Sequence, residues 1–202
     1  MVYRPTANTE AKKADVRARI VKAAQALVAE RGFMETQIAQ VASAAGIANG
    51  TVYRYFPAKA DLFAEVFRTA SSHEVEVVSA VAQVAGSVHE RLAGAVRVFV
   101  ERALRSRRLA WSLIAEPVDP LVDEERLKLR QAYAEVFAGL LNEGMALGEI
   151  APQPAKLAAA CLVGALAEAL VGPLAPGEET LDEAARATLT DELVAFSLRA
   201  VG

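Results

Sequence analysis

Apolar residues recur along most of this 202-residue chain at spacings of three and four, which is the pattern of amphipathic helices. Sustained alternation of apolar and polar residues, which a half-buried strand requires, does not occur in the sequence. The pattern therefore predicts an all-α fold of about nine helices. We expect a three-helix N-terminal head at residues 9–70, a long connecting helix, and a C-terminal helical bundle at residues 71–202.

Glycines, prolines and capping residues mark the expected helix boundaries. The first helix is predicted over about residues 9–31 and ends at Gly32, and the helix that begins near Ala58 runs on past His73 as the connector. The later helices are predicted to begin near Ser87, Leu109, Asp119, Pro154 and Leu181. Ser87 and Thr180 each open a Ser/Thr-x-x-Glu capping box, and Asp119 precedes a proline at the first helical position.

The segment 36–56 carries the most informative pattern in the chain. Ile38, Val41, Ala42 and Ala45 form one apolar helix face, and Gly46 follows where a helix C-terminus needs a positive φ. Two short helices joined by such a turn form a helix-turn-helix, whose second helix enters the major groove of DNA. A plain helical hairpin with solvated polar residues is the alternative, but it leaves the aromatic and basic cluster at residues 53–56 unexplained.

Side chains suited to DNA contact are concentrated around this segment. Thr36, which is also the predicted N-cap of the first motif helix, is expected to contact phosphates together with Tyr53 and Lys59. Base edges are expected to be read by Asn49, Thr51 and Arg54, while Tyr55 and Phe56 are interpreted mainly as packing residues. The candidate DNA-binding residues are Thr36, Asn49, Gly50, Thr51, Tyr53, Arg54, Tyr55 and Lys59.

The run from Gly46 to Phe56, followed by Pro57, Lys59 and Leu62, resembles the signature of the TetR family of bacterial transcriptional regulators. The resemblance implies a homodimeric repressor that a small-molecule ligand releases from a palindromic, double-stranded DNA operator, with the last two helices forming the dimer interface. The family usually has Ser or Thr at the position of Ala48, so the second motif helix lacks a good cap. Asn49 then has two candidate roles, capping and base reading. Ala58 likewise replaces a common Ser.

The distribution of charge agrees with DNA binding, although the net charge of the whole chain is −3. Residues 1–60 hold nine Lys and Arg, including Arg4, against four Asp and Glu, which leaves −8 on the remainder. A basic head on an acidic body is typical of a nucleic-acid reader joined to a second function. The single Cys161 excludes an intramolecular disulfide and residues 1–8 lack an apolar signal run, so we expect a cytoplasmic protein with Cys161 as a buried, inert thiol.

Aromatic and polar residues of the bundle suggest a pocket for an unknown small-molecule effector. Pockets in helical bundles are lined mostly by apolar and aromatic groups with one or two polar anchors. The equally open alternative is that these aromatic residues simply fill the core. The candidate ligand-binding residues are Phe99, Trp111, Ile114, Glu116, Arg130, Tyr133 and Phe137.

Enzyme signatures are absent from the sequence: it has no Gly-rich phosphate loop, no G-x-S-x-G, no H-E-x-x-H and no C-x-x-C. We therefore expect no catalysis, no cofactor and no metal. The apolar run at residues 157–167 is shorter than the roughly 20 residues of a membrane span, so it is interpreted as a buried or dimer-forming helix. A DNA-binding dimer without a ligand remains open, as does an all-α enzyme or lipid carrier.

Overall fold

The computed structural model describes the chain from Ala7 to Gly202, with side chains from Glu10 onward. Arg4 and the segment screened for a signal run thus lie wholly or mostly outside the described residues. The described part folds into nine α-helices without strands, which confirms the all-α prediction. The helices are α1 (Ala7–Glu35), α2 (Ile38–Ala45), α3 (Asn49–Tyr55), α4 (Lys59–Ala82), α5 (Val88–Arg105), α6 (Arg107–Ile114), α7 (Pro120–Leu147), α8 (Ala155–Leu174) and α9 (Glu183–Val201).

The head consists of α1, α2, α3 and the first half of α4 around a small apolar core. Helix α1 is broken at Gly32 (φ 84°, ψ 177°), the glycine that the sequence marks as its stop. After this break the chain turns inward, and the ring of Phe33 packs edge-on against Phe63 and stacks on Phe67, with centroid distances of 5.2 and 6.1 Å. Both partners lie on α4, so the connecting helix is part of the head core.

Thr36 does not have the capping role predicted from the sequence. Gln37 is the N-cap residue of α2, and Thr36 is completely buried. Its hydroxyl donates to the carbonyl of Gly32 at 2.6 Å, which satisfies an acceptor next to the break in α1. A hydroxyl with this partner does not cap α2, so the predicted cap at Thr36 is wrong. The phosphate contact predicted for Thr36 would require its buried hydroxyl to leave the carbonyl of Gly32.

Two of the three predicted caps in the body are confirmed. Ser87 and Glu90 form the expected capping box at α5, and Asp119 accepts the N–H of Leu121 at 3.0 Å to cap α7. The predicted capping box at Thr180 is wrong, because Asp182 caps α9 two residues later. The carboxylate of Asp182 accepts the N–H of Ala185 at 2.7 Å. The Thr180 hydroxyl instead accepts a hydrogen bond from Arg107, which attaches the α8–α9 loop to the start of α6.

The body is a bundle in which α4 packs against α5 and α7, α8 against α7, and α9 against α5. Its core is formed by large side chains that are buried almost completely, among them Leu92, Phe137, Leu141, Leu166 and Leu170. Because α4 supplies Phe63 and Phe67 to the head and Val78 and Ala82 to the body, the same rigid helix belongs to both cores.

Helix α8 is the most apolar helix of the body. By length and composition alone it could cross a membrane, and it is longer than the apolar run seen in the sequence. One face is buried against neighbouring helices, which is how a core helix of a globular bundle also behaves. The opposite face, including Leu157, Cys161 and Gly164, is exposed. The prediction of a buried Cys161 is therefore wrong for the isolated chain.

Candidate nucleic-acid interface and body cavity

The helix-turn-helix is built by α2, a glycine turn and the short helix α3. Gly46 takes the left-handed conformation (φ 66°, ψ 40°), as its place after the apolar face of α2 predicts. Its N–H and that of Ile47 donate to the carbonyls of Ser43 and Ala42, at 3.1 and 3.0 Å, and so close the end of α2. Val52, the one buried residue of α3, then fixes this helix to the head core.

The outer face of α3 presents most of the predicted DNA-contacting residues to solvent. Asn49, Gly50 and Arg54 are exposed, and Tyr53 is 48% exposed. The remaining candidates of the motif, Thr51 and Tyr55, are half-buried at the edges of this face. The exposed groups are an amide, a phenol and a guanidinium, which supply the hydrogen bonds used to read bases and to hold phosphates.

Both alanine positions that depart from the family pattern lack a side-chain cap. Ala48 is the N-cap residue of α3 and has no cap hydrogen bond, while Asn49 is already the first helical residue. Asn49 therefore does not replace the missing cap, and its amide is not committed to one. At Ala58, the carboxylate of Asp61 accepts the backbone N–H at 2.9 Å and so satisfies one free donor at the start of α4.

Two cations of the head lie over aromatic rings. The Arg17 guanidinium lies 4.9 Å from the ring centroid of Phe56 and pairs with Glu65 at 2.8 Å, which holds the pKa of Glu65 below its usual value. The half-buried Lys59 places its Nζ 4.8 Å from the centroid of Phe63. Phe56, which ends α3, is buried, as predicted for a packing residue, and lies against Arg17 of α1.

A cavity in the body is bounded mainly by α5, α6, α7 and α8. Four of the seven predicted ligand-binding residues line it: Phe99, Ile114, Arg130 and Tyr133. The volume open to the centres of water molecules is about 60 Å³. That is room for roughly four waters, whereas pockets for drug-sized ligands measure about 300–1,000 Å³. A larger ligand must therefore enlarge this cavity.

The other three predicted pocket residues lie elsewhere. Trp111 is half-buried on α6, and Phe137 is part of the solid core of α7. Glu116 is buried beneath the end of α1, where its carboxylate accepts the N–H groups of Phe33 and Met34 at 3.0 and 3.1 Å. None of the three lines the cavity.

The polar groups of the cavity wall include a pair that the sequence pattern did not predict. Arg102 on α5 binds Glu74 on α4 through two hydrogen bonds, Nε to Oε2 at 2.6 Å and Nη2 to Oε1 at 2.7 Å. The nearby Tyr133 ring meets Phe99 edge-on, and burial, assisted by the charge of Glu74, raises the pKa of the Tyr133 phenol. Arg102 follows Phe99 by three positions, and a charged residue on that apolar helix face was the available signal.

Two protein-family models match the chain. That of bacterial regulatory proteins, tetR family, matches residues 20–66, which include the whole helix-turn-helix. That of the tetracyclin repressor-like C-terminal domain matches residues 85–170, so together they cover more than half of the chain. The chain belongs to the TetR family of bacterial transcriptional regulators. It is accordingly a DNA-binding regulator with its helix-turn-helix at α2 and α3.

Similar proteins include two curated regulators. The chain is 27% identical to the fatty acid metabolism regulator protein of Bacillus subtilis over 139 residues, which are 65% of this chain and 69% of that protein. It is 24% identical to the HTH-type transcriptional repressor BepR of Brucella suis over 204 residues, covering 95% and 96%. The crystal structure of the regulator FadR of Bacillus subtilis with stearoyl-CoA has the same fold (TM-score 0.75, 21% identity), covering 92% of this chain and 99% of that one.

In this TetR-family chain, Glu116 joins the DNA-binding head to the body. Besides the two head N–H groups, its carboxylate accepts the Ser112 hydroxyl at 2.6 Å and pairs with Arg108 at 3.2 Å. Arg108 also donates to the carbonyl of Arg31, just before the break in α1. The end of α6 is thus bonded directly to the end of α1, in addition to the connection through α4.

Proposed function

We propose that the chain is a homodimeric repressor whose two heads bind the half-sites of a palindromic operator, and that a small molecule releases it. The observation that carries the DNA-binding part is the outer face of α3, with Asn49, Tyr53 and Arg54 exposed beside the buried anchor Val52. We assign Asn49, Thr51 and Arg54 to base edges. Tyr53 and Lys59 are assigned to phosphates and Gly50 to a close approach of the helix backbone to the DNA, while Tyr55 packs and so supports α3.

We divide the chain functionally within α4, with the DNA-binding domain at residues 9–70 and the ligand-binding and dimerisation domain at residues 71–202. The proposed dimer forms through α8 and α9, in the cytoplasm. Support comes from the uncovered apolar face of α8 and from Phe196 on α9, which is 43% exposed. Small residues such as Gly164 on this face allow the backbones of two helices to approach closely, which favours a four-helix interface.

The effector is proposed to enter the cavity around Phe99 and Tyr133. Its wall is mainly apolar, and similarity to fatty acid regulators, one of them solved with stearoyl-CoA, makes acyl-CoA thioesters the first compounds to test. A second candidate is a DNA-binding dimer that senses nothing. That candidate is favoured by one observation, the small volume of the cavity, about 60 Å³.

The test is a titration of the purified protein against the DNA upstream of its own gene at several salt concentrations. We expect binding that weakens steeply with salt, because phosphate contacts release counterions. Arg54→Ala is expected to lose sequence-specific binding and remain a dimer, whereas Arg105→Ala, an exposed arginine at the end of α5, is the matched control. Unchanged specific affinity of Arg54→Ala would remove this residue from the reading set.

Adding stearoyl-CoA or decanoyl-CoA to the protein–DNA complex separates the two candidates. Release of the DNA supports the ligand-controlled repressor. Retention of the DNA with every acyl-CoA, and with no heat of binding to the free protein, supports a regulator that senses none of these compounds. Light scattering of the free protein tests the dimer, and a monomer at micromolar concentration would contradict the two-headed arrangement.

A further inference from the structure

Two hollow regions of the molecule share a wall. The cavity around Phe99 and Tyr133 lies on one side, and an open cleft of about 520 Å³ between α1, α4 and α6 lies on the other. Glu74 and Leu109 line both. The Glu74–Arg102 ion pair therefore stands where the body cavity could connect with a cleft that borders the DNA-binding head.

The charged groups of the cavity wall are mostly cationic. Arg102, Arg126 and Arg130 line it, against the single carboxylate of Glu74. Arg126 is occupied elsewhere, because it donates to the carbonyls of Leu113 and Glu116 and pairs with Asp123. Arg102 is different, since within the described part of the chain its guanidinium bonds only to Glu74.

We infer that the effector is an aliphatic amphiphile with an anionic group, and that this group replaces Glu74 on the Arg102 guanidinium. This inference rests on the proposed ligand-controlled function and names the ligand class of the same cavity. The tail lies among the apolar residues around Phe99 and Tyr133. Any bulky carrier attached to the anion leaves through the cleft, which is open to solvent.

The exchange is chemically balanced. An incoming carboxylate keeps the two charge-assisted hydrogen bonds of Arg102, so the guanidinium never loses its partner. The displaced Glu74 carboxylate turns toward the cleft, which is lined by the basic side chains of Lys22 on α1 and His73 on α4. Burial of the aliphatic tail then supplies the net driving force for binding.

The same exchange explains how binding reaches the head. Glu74 lies on α4 between Phe67, which packs in the head core, and Val78, which packs in the body core. Its bond to Arg102 ties this central turn of α4 to α5. A ligand that takes Arg102 removes this tie and favours a different position of α4, since a ligand shifts an equilibrium only through unequal contacts with its two states.

The experiment compares decanoate with decan-1-ol, which has the same chain without the charge, and uses the full-length protein without DNA. Binding is followed by calorimetry and by the fluorescence of Trp111, the only tryptophan. The variants are Arg102→Met, Glu74→Gln and the control Arg105→Met. For the native protein we expect decanoate to bind about tenfold or more tightly than decan-1-ol, the size expected for one charge-assisted hydrogen-bond set.

Arg102→Met is expected to bind both compounds with equal affinity. Glu74→Gln is expected to bind decanoate several-fold more tightly than the native protein, because residue 74 then no longer competes as a carboxylate for the Arg102 guanidinium. Arg105→Met should behave as the native protein. Equal binding of both compounds by the native protein, preference retained in Arg102→Met, or weaker decanoate binding in Glu74→Gln would each overturn the inference. If circular dichroism shows that Arg102→Met is unfolded, the decanoate affinity of Glu74→Gln alone tests the inference.

Decanoyl-CoA distinguishes the source of the anion. If the thioester binds in an Arg102-dependent manner and decanoate does not, the group on Arg102 is a phosphate of the carrier and the inference stands. If none of the three compounds binds, it fails. Release of operator DNA is measured separately, so a protein that binds decanoate as expected but keeps its DNA contradicts the proposed repressor function and not the ligand class.

Discussion

Gly32 lies so close to Arg108 that a β-carbon on this glycine would overlap the guanidinium. The same β-carbon would lie 2.7 Å from Oε1 of Glu116. Gly32 also has a φ of 84°, which side chains of L-residues rarely adopt. The contact of Glu116 and Arg108 with the end of α1, which we call the joint between α1 and α6, therefore depends on a residue without a side chain.

Replacing Gly32 by alanine is expected to destabilise the protein by about 1–3 kcal/mol, through backbone strain and displacement of Arg108. Urea unfolding measures the change. Gly139→Ala is the matched control, since Gly139 is an exposed helical residue of α7 where an added β-carbon would meet open space. The free energy of unfolding of this control should rise by up to about 1 kcal/mol, because alanine has a higher helix propensity than glycine. Equal stability of Gly32→Ala and the native protein would contradict a tight joint.

Glu116→Ala is expected to cost about 2–4 kcal/mol of the free energy of unfolding, because it leaves the N–H groups of Phe33 and Met34 without their acceptor. The control is Glu124→Ala, an exposed glutamate of α7, with an expected change within about 0.5 kcal/mol. Denaturant titrations of both variants and the native protein measure these changes in the free energy of unfolding. A loss no larger than that of Glu124→Ala would mean that the joint does not hold the head.

Asn49→Ala separates capping from base reading. Since Asn49 lies inside α3 and supplies no cap bond, its removal is expected to change the free energy of unfolding by less than about 0.5 kcal/mol. Loss of a base contact should lower discrimination between the operator and unrelated DNA by about 1–3 kcal/mol. Anisotropy titrations with both DNAs at fixed salt give this difference. A destabilised variant with unchanged discrimination would restore the capping role.

The Arg68–Glu125–Lys128 cluster between α4 and α7 should make the free energy of unfolding depend on pH in the acidic range. Arg68, aided by Lys128, lowers the pKa of Glu125 below its value in the unfolded chain. The stabilisation is thus complete above the unfolded pKa and is lost as pH falls through the lower folded one. Between about pH 5 and pH 3, the native protein is expected to lose more stability than Glu125→Gln. Parallel pH profiles of the two proteins would contradict this.

Features set by local sequence were predicted well, and those set by distant contacts were not. Gly46, Ser87 and Asp119 act through their own turns, so their roles follow from neighbours a few residues away. The predicted cap at Thr36 was wrong because its hydroxyl turns to a carbonyl freed by the break at Gly32. The prediction for Cys161 was wrong because an apolar helix does not reveal which of its faces the fold covers.

The body cavity shows the same division. Phe99 and Tyr133 could be proposed from their core-facing positions on long helices, and both line the cavity. Glu116 was expected there too, but the two backbone N–H groups that it accepts lie more than eighty residues earlier in the chain. The Glu74–Arg102 pair joins two helices whose relative register no spacing rule supplies.

Helix α3 has seven residues and contributes only Val52 to the buried core of the head. Its outward residues therefore contribute little to the stability of the head, which comes mainly from the packing of α1, α2 and α4. Such a helix can accumulate substitutions that alter the preferred DNA sequence without unfolding the protein. New operator preferences can thus evolve, or be engineered, at α3 while the body is inherited unchanged.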